Sequence, residues 1–216
     1  MKSAGLLGPK TTRVASAATR PPDLVDRQFK VPAPNMLVVA VFTYVRLSTG
    51  VFVYTAFAID AFAGRIVGWQ CSASKHTAFV ESAIRQAANL RWMGGNPLTG
   101  CTIHHSDAGS QYTSVRFGDT LMLAGLKPSV GSVGDAFDNA LAETTIGLYK
   151  TEAVRKDSPL RRGPLHRLAD VELLTADWVS WYNTSRLMHR LGRIPPVEFE
   201  TAHYAQQAAV KTEAHQ

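Results

Sequence analysis

Three apolar, β-rich segments, at about 37–45, 51–60 and 64–72, follow one another with only short turns between them. The connecting residues Leu47-Ser-Thr-Gly50 and Ala61-Phe-Ala-Gly64 carry the glycines that tight turns need, and the pattern fits a three-stranded antiparallel meander. The period then changes. Thr77 to about Met93 places Val80, Ile84 and Ala87 on one helical face, and Gly94-Gly-Asn-Pro97 ends the helix, because glycine suits a left-handed stop and proline cannot continue. A short apolar run at 101–106 predicts a strand, 113–124 a helix with Phe117, Leu121 and Met122 apolar, and 127–130 another strand. A further helix runs from a capping Asp135 to Lys150. The order is βββαβαβα, which periodicity alone reads as α/β with a mixed sheet. Beyond it, 155–167 is a basic loop with two prolines, and 168–184 a helix carrying Leu173, Leu174, Trp178 and Trp181.

With 216 residues the chain suits one main domain with terminal extensions, and its 45% apolar content is that of a globular protein. A net charge of +6 favours a polyanionic partner, nucleic acid first. Two cysteines, Cys71 and Cys101, and seven histidines without metal-ligand spacing point to neither a disulfide framework nor a zinc site. No apolar run approaches the roughly 18 residues of a membrane helix. Residues 1–22 hold Lys2, Lys10, Arg13 and Arg20 and no acid, and the apolar patch Ala4-Gly-Leu-Leu-Gly8 is too short for a secretory core, so a flexible basic leader is expected. Pro21, Pro22, Pro32 and Pro34 extend it as a linker.

Two carboxylates stand apart from this background. Asp107 closes the 101–106 strand, and Glu143 lies inside a later helix, with thirty-five residues between the two. Carboxylates at a strand end and on a later helix can converge on hard divalent cations, the chemistry of nucleases and polynucleotidyl transferases. The plainer readings are a turn-forming aspartate and a solvated Glu-Lys helix face. At 100° per residue, Asn139, Glu143, Ile146 and Lys150 share one face, while Phe137, Leu141 and Leu148 form the opposite one, expected to pack on the sheet. His104 and His105 lie on alternating strand faces, so that one could approach the site, but a structurally satisfied histidine is the expected reading. Gly131-Ser-Val-Gly134 reads as a flexible active-site loop, lacking the lysine and hydroxyl of a nucleotide-phosphate loop. Asp138 reads as a first-turn acid.

The remaining blocks are Arg20-Pro-Pro-Asp-Leu-Val-Asp-Arg27, Phe42-Thr-Tyr-Val45, Ile59-Asp60 with Arg65-Ile-Val-Gly-Trp69, His105-Ser-Asp-Ala-Gly-Ser-Gln-Tyr112, Ser129 to Glu143, Leu148-Tyr-Lys-Thr-Glu152, Trp181-Tyr-Asn183, and Leu191-Gly192 with Pro195-Pro-Val-Glu-Phe-Glu200. In this order, from about Arg20 to Tyr204, the chain resembles a DDE transposase of the third insertion-sequence family, whose core is similar to retroviral integrase. The resemblance implies a ribonuclease-H-like fold with a mixed five-stranded sheet flanked by helices. It implies a basic leader and linker over 1–35, an integrase-like catalytic core over 36–153, and a basic loop with a C-terminal helical extension over 154–216. Asp107 and Glu143 match the second and third acids of the family triad and would ligate Mg²⁺ or Mn²⁺. The first aspartate of that triad belongs directly before Phe-Thr-Tyr, where this chain has Val41. No acid lies between Asp26 and Asp60 to replace it, and Asp60 matches a different family position. Strand cleavage and transfer are therefore expected to be disabled and metal binding weakened.

Lys150 matches a family lysine that would contact a DNA phosphate, and Asn139, Arg186 and Arg190, with Arg193, are expected on DNA as well. Met188 stands where the family pattern has histidine, with His189 shifted by one. The implied partners are DNA, as transposon ends and target, and a second copy or an intact transposase subunit, in a bacterial cytoplasm at the nucleoid. The family adds upstream helix-turn-helix segments, partly from a separate reading frame, so a core shortened at its N-terminus is expected.

Overall fold

A computed structural model describes residues 21–107, 115–131 and 140–213. The meander forms as β1 (Leu37–Arg46), β2 (Phe52–Asp60) and β3 (Arg65–Ser72), followed by α1 (Ala78–Met93), β4 (Thr102–Ser106), α2 (Val115–Leu123) and β5 (Leu126–Val130). Then come α3 (Ala140–Tyr149), α4 (Leu168–Thr184) and α5 (Pro196–Glu213). The sheet order is β3-β2-β1-β4-β5. β1 is antiparallel to β2, from Val38↔Asp60 to Arg46↔Phe52, and parallel to β4 over Leu37↔Ile103 to Val39↔His105. Among the described residues, no helix is long and apolar enough to cross a membrane.

As the central strand, β1 is apolar on both faces. Val39, Val41 and Val45 point into one cluster with Phe57, Ala142, Tyr149, Trp178 and Tyr182, which comes from β2, α3 and α4. Val38 and Ala40 point the other way, into a cluster with Ala83, Ile84 and Ala87 of α1 and Phe117 and Leu121 of α2. Helices thus cover both faces of the sheet, and α4 shares its core with the strands.

The close seat of α1 on β3 depends on Gly68. A Cβ there would run into the backbone carbonyl of Ala83, in the middle of α1. Gly68→Ala should therefore displace the helix and lower stability by about 1–3 kcal/mol, as overpacking does, read from a urea denaturation midpoint. The stop of α1 is made by the second of its glycines: Gly95 takes φ +72, while Gly94 stays at φ −78.

The expected packing face of the helix that ends at Lys150 is corrected. The buried side of α3 is Ala142, Thr145 and Tyr149, while Leu141 and Leu148 flank it half-buried. Small residues let the helix backbone approach β1 closely, and the leucines then fit beside the contact rather than beneath it. The helix also changes pitch, passing at Lys150 into a π-helical turn, Lys150–Val154. In α4, Val171, Leu174, Thr175 and Trp178 are buried and Leu173 is exposed. The expected cap Asp135, with Phe137, Asp138 and Asn139, lies outside the described residues.

The long C-terminal helix α5 starts at Pro196, as suits a residue with fixed φ and no N–H in the first turn. Its anchor is electrostatic. Glu200, only 2% exposed, meets Arg91 of α1, which is 3% exposed and donates in turn to Asp60 at the end of β2, 0% exposed. Arg65 Nη1 donates to the same Glu200 at 2.9 Å. Phe199 adds a ring contact to Phe62, with centroids 5.1 Å apart.

Candidate active site

Continuing the β1–β4 register two residues past Val39↔His105 sets Asp107 level with Val41. Alternation places both on the same face, since Ile103 and His105 of β4 pack towards the cluster that holds Val41. Helix α3 covers that face, contributing Ala142 beside the exposed Glu143. Strand end, central strand and helix therefore meet at one locality. Asp107 and Glu143 are exposed there, and Val41, at 8% exposure, is packed hydrocarbon.

Lys150 is exposed at the end of α3, with its Nζ 5.1 Å from the centre of the Tyr44 ring. Pairing with β4 stops at Val39, so the far half of β1 has an open edge around which lysine and ring can meet. Tyr44, itself 56% exposed, stands edge-on to Phe52, with centroids 5.3 Å apart. Residue spacing did not single out Tyr44 as the platform for Lys150, although it lies within the Phe42-Thr-Tyr block.

The arginines are placed differently. Arg186 is bound to Glu152 of the π-helical turn, with Nε to Oε1 at 2.8 Å, and lies over Tyr182. Glu152 also accepts from Trp178 Nε1 at 3.2 Å. Glu152 stood in the Leu148-Tyr-Lys-Thr-Glu block, but spacing alone could not show that it would neutralise Arg186. Arg190 Nη1 reaches the Phe62 carbonyl at 3.4 Å, in the turn between β2 and β3. That turn lies at the N-terminal end of β1, roughly 13 Å from Val41 at about 3.4 Å per strand residue. Lys150 therefore meets β1 at Tyr44, three residues beyond Val41, while Arg190 is held by the turn at the other end of the strand. Asn139 lies outside the described residues.

Both histidines of β4 are buried, at 1% exposure each. His104 stands edge-on to Phe117, and burial, helped by the neighbouring His105, pushes its pKa down to about 3, so the ring is neutral near pH 7. His105 Nδ1 lies 3.0 Å from Ser129 Oγ, across to β5. Met188 is 6% exposed and packed in the main core.

Hard divalent cations require oxygen donors, three carboxylates in a shared two-ion site of this kind. Two are present, and the third position offers methyl groups. Among the described residues no three His, Cys, Asp or Glu side chains gather as an ion-holding group. The residues present do not fit a pair of shared cations.

Fold and site define the class: a ribonuclease-H-like catalytic core of the integrase type. Two models of the integrase core domain match residues 31–136 and 124–196. The transposase assigned to insertion sequence element IS986/IS6110 of Mycobacterium tuberculosis (strain ATCC 25177 / H37Ra) is 50% identical over 197 residues, covering 91% of this chain and 69% of that protein. The transposase for insertion sequence element IS629 of Shigella sonnei is 47% identical over 207 residues, covering 95% of this chain and 66% of that one. The chain belongs to the insertion-sequence DDE transposases. Among solved structures, the HTLV-2 integrase catalytic core domain in complex with magnesium (trimeric form) superposes with a TM-score of 0.59 at 18% identity, over 79% of this chain and 99% of that one. The catalytic core domain of BIV integrase gives 0.54 at 15% identity, over 81% and 99%.

Proposed function

We propose that this chain is a transposase core that binds DNA but does not cut or join it. One observation carries the reading: a buried valine stands level with Asp107, where the shared metal ligand is required. Asp107 and Glu143 are the remaining acids of the triad, able at most to hold one divalent cation weakly. Val41 belongs to the same hydrophobic cluster as Phe57 of β2 and Ala142 of α3. Such a chain suits a non-catalytic subunit beside an intact transposase on element ends or target DNA, and the net charge of +6 supports the DNA contact.

Lys150 supplies a point charge to a phosphate and reads no sequence. Lys150→Gln should weaken duplex binding equally for unrelated sequences and flatten the slope of log affinity against log salt by about 0.9, the value for one phosphate contact.

The deciding experiment compares this protein with its Val41→Asp form on end-labelled duplex, with Mg²⁺ and with Mn²⁺. Cleavage by the aspartate form alone supports the reading. Equal cleavage by both sinks it, and failure of both shows that Val41 is not the decisive lesion.

A further inference from the structure

A basic cleft of about 780 Å³ lies beyond the candidate active site, between the β1–β2 turn and the 155–167 loop. Arg46, Lys156 and Arg161 line it, together with Ser48, Gly50 and Gly163. Its charge is not cancelled. The neighbouring surface arginines each have an acid: Arg155 with Asp157 at 2.6 Å, Arg162 with Asp177 at 3.2 Å and Arg167 with Asp170 at 3.2 Å. Among the described residues, Arg46, Lys156 and Arg161 have no ion pair. Arg161 is nonetheless held in place, donating from Nε to the Gly163 carbonyl at 2.9 Å and from Nη1 to the Val154 carbonyl. Carbonyls orient a guanidinium without neutralising it, so its charge stays available to an anion.

The two walls are also tied together. Ser48 donates its N–H to the Leu165 carbonyl at 2.8 Å, and its hydroxyl lies 3.1 Å from that carbonyl and 2.7 Å from His166 Nδ1. Gly50 turns the chain at φ +88, and a Cβ there would lie 3.9 Å from Arg46 Nη2, so the arginine folds back along the turn. A cleft held open this way needs little reordering to receive a ligand.

Position points to the ligand. Arg46 lies five residues beyond Val41 on the same strand, about 17 Å at roughly 3.4 Å per residue. Tyr44, with Lys150 above it, lies between them. Duplex DNA advances about 3.4 Å per base pair along each strand, so the cleft stands roughly five base pairs from Val41. We infer that Arg46, Lys156 and Arg161 grip the phosphodiester backbone of duplex DNA flanking the active site. This rests on the DNA-binding reading above and adds the surface that would hold the flank. The contact is to phosphate alone and carries no sequence preference.

The test is fluorescence anisotropy with a labelled random-sequence duplex, titrated at several salt concentrations, using the full chain without divalent metal. Arg46→Gln and Lys156→Gln should each flatten the log-affinity slope by about 0.9, while the acid-paired controls Arg155→Gln and Arg162→Gln leave it unchanged. Equal effects of cleft and control variants would overturn the proposal, and so would wild-type slopes in both cleft variants. If inorganic phosphate at constant ionic strength erased the difference between wild type and cleft variants, the cleft would be a free-anion site and the duplex assignment would fall. A wild-type protein that does not bind the duplex at all would overturn the DNA-binding reading together with this one. Binding by the wild type with no effect in the cleft variants would overturn this one only.

Discussion

Val41→Asp should raise metal-dependent strand cleavage by at least about 10²–10³-fold, the range that removing one well-placed electrostatic donor from an active site typically takes away. A metal ligand shared by two cations affects both occupancy and orientation, so that range is a floor. The same substitution has an opposite effect on folding. Val41 is 8% exposed and packs in the cluster with Phe57 and Ala142. Burying a valine is worth about 1.5–3 kcal/mol, and an aspartate loses that while desolvating a charge. Without divalent metal the variant should therefore melt below the wild type. A cation that binds only the folded variant then restores stability, by about 2.7 kcal/mol at a hundredfold excess over its dissociation constant. Melting curves with EDTA and with Mn²⁺ separate the two effects. The variant's melting temperature should rise with Mn²⁺ and the wild type's should not. Val41→Asn is the control, destabilised by its buried amide and without the anionic charge that attracts the ion. A wild-type melting temperature that rose as steeply as the variant's would show that Asp107 and Glu143 already hold the ion well.

The antiparallel meander and the changes of period were legible because each depends on neighbours in sequence. The fourth helix, at 168–184, was readable from its dense apolar residues, and Leu168–Thr184 is the helix observed. The face of α3 was misread for a physical reason. Hydrophobic patterning seeks the largest side chains, but a helix laid closely on a strand buries Ala142 and Thr145 at the contact. The bounds of helix α5 were not given within the helical extension expected over 154–216, although Pro196 suits the first turn of a helix. What secures α5 is Glu200, whose partners Arg65 and Arg91 lie more than a hundred residues away in sequence. Charge alone likewise marked Arg186 and Arg190 as candidates for phosphate. Only the fold shows that Glu152 neutralises the first and that the β2–β3 turn holds the second. The uncancelled cleft was hidden for the same reason, since in sequence Arg161 and Arg162 are indistinguishable.

Arg91→Met should destabilise the fold by about 3–5 kcal/mol at neutral pH, the usual loss when one member of a buried ionic group is removed. Arg91 donates from Nη2 to Asp60 at 2.7 Å and to Glu200 at 3.0 Å, and from Nη1 to Glu200 again. Methionine keeps much of the stem volume, so the loss isolates the charge. Two carboxylates would then share a buried space, with Arg65 on Glu200 and the amides of Asn35 and Phe62 on Asp60 as the remaining donors. The pH dependence follows from the direction of the Asp60 shift. Burial pushes that carboxyl above its ordinary value of 3.8, against the pull of Arg91 and the two amides. The folded state thus holds the proton more tightly than the unfolded one, and stability from this group falls as pH rises from the ordinary value through the folded one. Removing Arg91 removes the strongest opposing pull and moves the folded value further up. The variant's deficit should therefore shrink as pH drops from 7 towards 5, while the wild type changes less over that interval. Urea denaturation midpoints at the two pH values measure it. A deficit independent of pH would mean that Arg91 acts by packing, and the ends of β2, α1 and α5 would then be joined by shape instead of charge.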